Sequence, residues 1–347
     1  MNVYTQSPAF MSRVFFYRSD NWTETLKKGE TMKKTLIILS VMIASLALIM
    51  GGCQSSTTQT TPAPTLESTP SPTPEVASEY SVTDSQGNVI KFEKTPETVV
   101  SLAPNITEII FAIEAEDKLV ARTDWCNFPE AVFDYASVGN IDQPDIEAII
   151  ALNPDVVILT EMTMKELALQ IKDAGIPFVV VDEEDSFEGA YRCIEIVGEV
   201  LGAYDKATDV VSSMKADIES IISEVSVYEK KTVYYVMGYG EFGDYTAGKG
   251  TFISQMIAAA GGINVADDTE GWTYSVEKLV EHNPDVLLLS TWSPADGLKE
   301  ATGYKDLTSV KENRVFTLND DSLQRLGPRL VEAFADMAKA IHYDIYE

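Results

Sequence analysis

The side chains that most often carry chemistry are scarce in this sequence or stand at unhelpful spacings. His282 and His342 are the only two imidazoles in 347 residues, so a zinc or manganese site built on three histidines cannot be assembled. His282 follows a helical stretch beside Asn283-Pro284-Asp285, where it complements the helix dipole, and His342 falls in the final helical pattern. No G-x-S-x-G occurs, and neither imidazole lies near a nucleophile. The 54 acids include no evident spaced catalytic pair, and most read as solvated faces. Gly238-Tyr239-Gly240-Glu241-Phe242-Gly243 matches G-x-G-x-x-G after an expected strand, but no amphipathic helix follows directly and Glu241 and Asp244 would repel a pyrophosphate. Gly243 to Lys249 almost spells a phosphate loop, yet Gly250 stands where the magnesium-binding hydroxyl belongs. The simpler reading is a mobile Gly-rich loop at the rim of a cleft.

What remains is aromatic. Trp125, Trp272 and Trp292 fall in or near loops at expected strand ends, joined by Tyr239, Tyr245 and Tyr274. Each ring can cover about 150 to 250 Å² of a flat ligand while its polar edge finds a partner. Such a lining suits a large planar ligand better than a sugar or an amino acid.

The elements that would position these rings are an alternation of short β-branched runs and amphipathic stretches. Strands are expected at Thr98–Leu102, Leu119–Arg122, Val156–Leu159 and Phe178–Val181, with helices near Thr107–Ile113, Ile146–Leu152 and Lys165–Ala174. A hairpin precedes them, Ser81–Thr83 and Val89–Phe92. Strands interleaved with helices predict a parallel sheet covered on both faces. From Tyr204 to Val225 apolar residues recur at helical steps throughout, a rod of about 33 Å at 1.5 Å per residue. Strand patterns resume at Thr232–Met237, Val286–Leu289 and Val315–Leu318, and a last helix begins near Gly327.

An internal repeat divides this body in two. IEAIIALNPDVVILT (Ile146 to Thr160) and VEKLVEHNPDVLLLS (Val276 to Ser290) align without gaps, 130 residues apart, with identity at Glu147/Glu277, Asn153/Asn283, Pro154/Pro284, Asp155/Asp285, Val156/Val286 and Leu159/Leu289. Each reads as helix, turn and buried strand, because proline cannot continue a helix and turns the residue before it away from α. The fold class is therefore α/β: two lobes with parallel-rich sheets, 80–203 and 227–347, joined by one long helix over 204–226. A ligand cleft is expected between them, outside the carboxyl ends of the strands.

The amino terminus reads as an address. Met32-Lys33-Lys34 precedes an apolar run of 15 residues, Leu36 to Met50, too short to span a bilayer but matched to a signal-peptide core of about 7 to 15. The purine-rich codons available to Lys28-Gly29-Glu30 suggest that translation starts at Met32 and that 1–31 is a mis-annotated extension. Met50-Gly51-Gly52-Cys53 resembles a bacterial lipoprotein processing box, which implies that 32–52 is removed and that Cys53 carries a lipid. From Gln54 to Ser78, 17 of 25 residues are Ser, Thr or Pro, a tether that cannot bury enough surface to fold and that extended would reach about 75 Å. Cutting before Cys53 removes six cations and three anions and leaves 51 acids against 20 bases, so the net charge deepens from −28 to −31. That balance excludes nucleic acid as a partner and limits membrane contact to the lipid anchor. Cys126 and Cys193 are the remaining thiols, and whether they pair is left open.

VVSLAPNITEIIFAI, TDWCNFP, IEAIIALNPDVV, GIPFVVVD, GTFISQMIAAAGG and RLGPRL together resemble the cobalamin and ferric-siderophore branch of the periplasmic-type binding proteins of ABC importers, from about Tyr80 to Ile341. The resemblance implies two α/β lobes on a rigid backbone helix, small lobe motions and a metal chelate held in a shallow cleft. It is closest to cobalamin-binding members: their aromatic-x-x-aromatic-Pro loop falls on Trp125 and Phe128-Pro129, and a Trp before the second-lobe helix on Trp272. Two further tryptophans of those members fall near Ile141 and on Ser322 beside Leu323, so ferric siderophore and haem stay open as ligands. Arg325 and Arg329 offer a local positive spot in an otherwise acidic body. The ligand-binding candidates are thus Asn105, Trp125, Phe128, Tyr239, Tyr245, Trp272, Trp292 and Arg325. Glu147 and Glu277, one per lobe, are implied to dock onto arginines of a permease dimer coupled to its ATPase, although an acid in a first helical turn also serves the dipole. The expected protein is a monomeric, lipid-anchored extracytoplasmic binding protein with no resident metal or cofactor and no enzymatic activity. The rivals are an extracytoplasmic enzyme acting on a cofactor and a sensor or adhesion module.

Overall fold

A computed structural model describes residues 79–163, 165–240 and 243–346. The expected extension, the signal segment, Cys53 and the tether up to 78 lie outside the described residues.

The body opens with an antiparallel hairpin, β1 (Tyr80–Thr83) and β2 (Val89–Phe92). The first lobe then builds β3 (Val99–Ser101), α1 (Pro104–Ala112), β4 (Leu119–Arg122), β5 (Ala136–Ser137), α2 (Ile146–Leu152), β6 (Val156–Leu159), α3 (Lys165–Asp173) and β7 (Phe178–Val180). Its five strands are all parallel in the order β5-β4-β3-β6-β7. Two helices, α4 (Phe187–Leu201) and α5 (Tyr204–Val225), lead to the second lobe. That lobe contains β8 (Lys231–Val236), α6 (Phe252–Ala259), β9 (Gly262–Asn264), α7 (Val276–His282), β10 (Val286–Ser290), α8 (Ala295–Leu298), α9 (Thr308–Lys311), β11 (Val315–Leu318), α10 (Asp320–Gln324) and α11 (Leu330–Ile341). Its parallel sheet runs β11-β10-β8-β9. Reversed, this is the order of β4-β3-β6-β7, so the second sheet repeats the first without the edge strand β5.

The sequence repeat is the equivalence of α2-β6 with α7-β10. Asp145 caps α2 by accepting from Ala148 N at 3.0 Å, and Ser275 caps α7 by accepting from Lys278 N at 3.2 Å. Both helices end on a left-handed asparagine, Asn153 at φ 45° and Asn283 at φ 43°. Asn tolerates that region better than most residues, and the proline behind each prevents another helical turn. The repeated aspartates are structural. Asp155 Oδ2 accepts from Glu97 N, Thr98 N and Thr98 Oγ1, and Asp285 Oδ2 accepts from Thr232 N and Thr232 Oγ1. Each one pins the start of the repeat strand to its neighbour, β6 to β3 and β10 to β8.

The near-continuous apolar strands follow from burial on both faces. In β6, Val156 and Ile158 enter one core while Val157 and Leu159 enter another; in β10, Val286 and Leu288 separate from Leu287 and Leu289 in the same way. The outer cores belong to single lobes. The inner core is common to both and also takes Ile106, Ile109 and Ile110 of α1, Ile194 and Val197 of α4, Met214 and Ile218 of α5, Met256 of α6 and Phe334 of α11. Burying each such side chain contributes about 1.5 to 3 kcal/mol, so the lobes are joined by shared core as well as by chain.

The long helix falls on its expected residues. Its partner α4 escaped the sequence reading because two glycines and several β-branched residues blur its stripe. Gly198 has a packing role there: a Cβ would stand 2.4 Å from Ala207 Cβ, so the glycine lets α4 and α5 touch. Other ends shift by one to three residues. Helix α1 starts earlier than expected, at Pro104, because proline suits the first helical turn.

Candidate functional site

The segments that follow β3 and β4 meet the second lobe through Glu108 and Asn127, which bond to Arg325 and Asp321, and the loops after β8 and β10 carry Tyr239, Tyr245 and Trp292. Trp125 lies three residues beyond β4 and Trp292 two beyond β10. Trp292 and Phe128 are exposed at 42% each, whereas Trp125 and Trp272 are half-buried against the shared core. A chain of small polar groups holds the Trp125–Phe128 loop. Thr107 Oγ1 lies 3.1 Å from Cys126 Sγ and donates to Ser101 Oγ at 2.7 Å, and Ser101 Oγ donates to Ala103 O. Cys126 and Cys193 are both free and buried.

The described parts of the glycine-rich loop, 238–240 and 243–250, pair with one another and with 269–273. Tyr245 pairs with Gly238 in an antiparallel bridge, Tyr245 N donating to Gly238 O at 3.0 Å and Met237 N to Tyr245 O at 2.9 Å. Gly248, inside the string resembling a phosphate loop, has its N–H on Gly271 O at 2.8 Å, and a Cβ would stand 2.4 Å from Thr269 O. Its glycine is needed by that close backbone approach. The pairing also places Tyr245 next to Thr273, and Thr246 N donates to Trp272 O at 2.8 Å, so Tyr245 and Trp272 share one rim. Tyr239 is half-buried, its hydroxyl donating to Pro294 O and its ring 5.6 Å from Tyr304. Burial, reinforced by the Asp296 charge, pushes its phenol upward. Tyr274 departs from the expectation. It is buried in the outer core of the second lobe with its hydroxyl on Val265 O at 3.0 Å, because the residue before the Ser275 cap must seat α7.

The floor of the junction is an ion network absent from the sequence reading. Glu108, on α1 and 2% exposed, accepts from Arg325 Nη1 at 2.6 Å, from Arg329 Nε at 2.9 Å and from Arg329 Nη2 at 2.7 Å. Arg325 also donates to Asn127 Oδ1 at 2.9 Å and pairs with Asp321 Oδ1 at 3.0 Å, and Asn127 Nδ2 donates to Asp321 Oδ2. Arg329 stacks 4.1 Å above the Phe128 ring. Two acids from different lobes thus neutralise two arginines of one lobe, and the anticipated positive spot is compensated. Asn105, half-buried at the start of α1, abuts Gly327 of the same loop, its carbonyl 3.9 Å from where a Cβ would stand. Beside the network a cavity of about 360 Å³ is lined by Glu108, Phe111, Ala112, Phe128, Pro129, Pro328, Arg329 and Glu332. Phe128 is its one member among the ligand-binding candidates.

Asp320 was also missed. It is 1% exposed and accepts from Tyr235 Oη, Gln324 Nε2, Ser290 Oγ and Thr291 Oγ1 at 2.6 to 2.9 Å. Ser290 Oγ in turn accepts from Trp292 N, so one buried carboxylate sets the Trp292 loop and the helix that delivers Arg325. Glu108 had a sequence signal, a lone acid among Ile106, Ile109 and Ile110; Asp320 had none. Ile141 and Ser322, where the related tryptophans fall, are buried at 5% exposure each and bring no ring to the cleft.

Glu147 and Glu277 occupy equivalent exposed positions in the first turns of α2 and α7. Each helix belongs to a crossover between parallel strands and runs back against the strand that follows it, so its first turn stands level with the carboxyl ends of the sheet. The backbone N–H of Glu277 and the Ser275 hydroxyl, 2.9 Å away, hold the Glu277 carboxyl below its ordinary value.

The family description "Periplasmic binding protein" matches residues 99–322. The chain belongs to that family. It is 33% identical over 273 residues to an uncharacterized ABC transporter substrate-binding lipoprotein, YvrC, of Bacillus subtilis, across 77% of this chain and 86% of the relative. It is 26% identical over 275 residues to a cobalamin-binding protein of Halobacterium salinarum, across 75% and 73%. Among solved structures it is similar to the periplasmic heme-binding protein RhuT of Roseiflexus sp. RS-1 in its apo form, with TM-score 0.65, 29% identity and coverage of 72% of this chain and 99% of that one. The family consists of solute-binding proteins of ABC importers, in agreement with the two-lobed architecture. No helix among the described residues is long and apolar enough to cross a membrane.

Proposed function

We propose that this family member is a lipid-anchored extracytoplasmic protein that captures a cobalamin-like metal chelate and delivers it to an importer without transforming it. The observation that supports this reading is the pairing of Arg325 and Arg329 with Glu108 and Asp321, next to loops of both lobes that carry aromatic side chains. Trp125, Phe128, Trp272, Trp292 and Tyr245 offer ring surface from both lobes, while Glu108 and Asp321 occupy Arg325 and Arg329. A large chelate rich in apolar surface is favoured by such walls. A chelate carrying several carboxylates would lack cations to meet them. The Halobacterium relative is named for the same ligand class.

A second reading, haem or a ferric siderophore, is favoured by the likeness to the Roseiflexus protein and by the 38% exposure of Tyr245, whose phenol stands at the rim. Titration of the purified mature protein with cyanocobalamin, haem and ferric siderophores, followed by tryptophan fluorescence, tests both. Saturable quenching by cyanocobalamin with Trp292 as a contributor is expected. Saturation by haem alone would transfer the reading to the second ligand, and no saturable quenching by any would overturn the chelate function. An enzyme acting on a cofactor would instead release altered ligand on incubation, detectable by its absorption spectrum.

A further inference from the structure

The repeat helices carry more than their glutamates. In α2, Ile149 is fully buried and Ile150 is 42% exposed; at the equivalent places in α7, Leu279 is fully buried and Val280 is 42% exposed. Each exposed aliphatic residue lies three positions after the exposed glutamate, and residues at that spacing are neighbours on one helix face. Each lobe therefore presents one carboxylate beside one aliphatic side chain. The capping residue, the buried anchor and the left-handed asparagine of the two helices are also equivalent. Isoleucine and valine are weak helix formers, and water-facing positions of such short helices give no folding reason to retain them in both copies.

We infer that Ile150 and Val280 are paired contact residues for a two-fold symmetric partner whose two identical subunits each offer a cation beside an apolar socket. The duplication is the argument for the occupant. A single asymmetric protein or a flat lipid surface would not call for the same acid and aliphatic pair once per lobe, and an anionic surface would be repelled by Glu147 and Glu277. Aliphatic burial would supply affinity and the carboxylates would supply steering and register. The inference rests on the reading of this chain as an importer's binding protein, and it adds the apolar half of the contact.

The test has two arms. In cells carrying the importer, Ile150→Ser and Val280→Ser each lower cyanocobalamin uptake, by similar factors, and together by about tenfold or more, while fluorescence titration and thermal midpoint stay at wild-type values. Full uptake by the double variant overturns the inference. The second arm does not depend on the ligand. Ile150→Cys and Val280→Cys, introduced singly and labelled with a photoreactive maleimide while Cys126 and Cys193 stay buried, are irradiated on membranes from the same cells. Cross-linking of one and the same polypeptide from both positions, lost on charge reversal of Glu147 or Glu277, supports a symmetric partner; different products, or none, overturn it. Failure to bind cyanocobalamin with both cross-links intact would sink the ligand reading alone.

Discussion

Replacing Glu108 by glutamine keeps the volume of the side chain and removes the one charge that both Arg325 and Arg329 address across the lobes. With side-chain exposures of 14% for Arg325, 11% for Arg329 and 2% for Glu108, the network is a buried one, for which loss of a single partner costs about 3 to 5 kcal/mol. Arg325 keeps Asp321 and Asn127 as partners, which places the expectation at the lower end, about 3 kcal/mol. Arg329 loses its bidentate acceptor and faces an amide NH₂ instead. For a body of this size about 2 to 4 °C of midpoint accompanies each kcal/mol, so E108Q should melt about 6 to 12 °C lower. Guanidinium unfolding followed by tryptophan fluorescence and circular dichroism gives the free energy, and calorimetry gives the midpoint. The triple replacement Glu108→Leu, Arg325→Met and Arg329→Leu should recover most of the loss, because swapping a whole buried ion cluster for apolar groups of similar volume is often neutral. A loss under about 1 kcal/mol for E108Q, the range of an exposed pair, would refute the reasoning, as would a triple variant no more stable than the single one.

Other expectations follow from individual groups. His342 is buried with Nε2 on Ala260 O at 3.0 Å and no partner for Nδ1, and burial lowers its pKa from 6.5, with Lys231 reinforcing the shift against the opposing Ala260 carbonyl and Asp344. The unfolded chain then binds the extra proton first, so this contribution to stability is complete above about pH 6.5 and is lost as pH falls through the folded value. Urea midpoints between about pH 7.5 and 5 should show that slope and His342→Gln should flatten it; equal slopes would discard the assignment. Burial pushes the Cys193 thiol up to about 12, and Cys126 is closed off by burial alone, so an aromatic disulfide reagent should label neither until the protein unfolds. Stoichiometric labelling of the folded protein would contradict their burial. Charge reversal, Glu147→Lys or Glu277→Lys, should abolish uptake while leaving the ligand titration unchanged, and undiminished uptake would remove the glutamates from the docking surface.

The elements were legible wherever the pattern is local. The repeat, its Asn-Pro-Asp turns, the strands buried on both faces and the helix Tyr204–Val225 all announce themselves through spacing and punctuation within about twenty residues, and the two-lobed α/β fold followed from them. Helix α4 was not legible, since Gly198 and its β-branched neighbours are there to meet α5, a packing partner that periodicity does not see. The aromatic candidates divide for the same kind of reason. Trp292, Tyr245 and Phe128 remain at the surface, but Tyr274 stands in a similar loop and is drawn inward to seat the helix that follows it.

The sequence by itself determined composition-level facts and local geometry: an acidic body, too few histidines for an imidazole metal site, a repeated helix-turn-strand unit and aromatic side chains in loops. The tertiary structure alone decided what the charges do. Glu108 is separated from Arg325 and Arg329 by more than two hundred positions, and their pairing converts a suspected anion site into a neutral clamp between lobes. Asp320 likewise meets Ser290, Thr291 and Tyr235 only because β8, β10 and β11 are neighbours in one sheet. Charge pairing depends on distance in space and on exclusion of water, and neither is encoded in spacing along the chain.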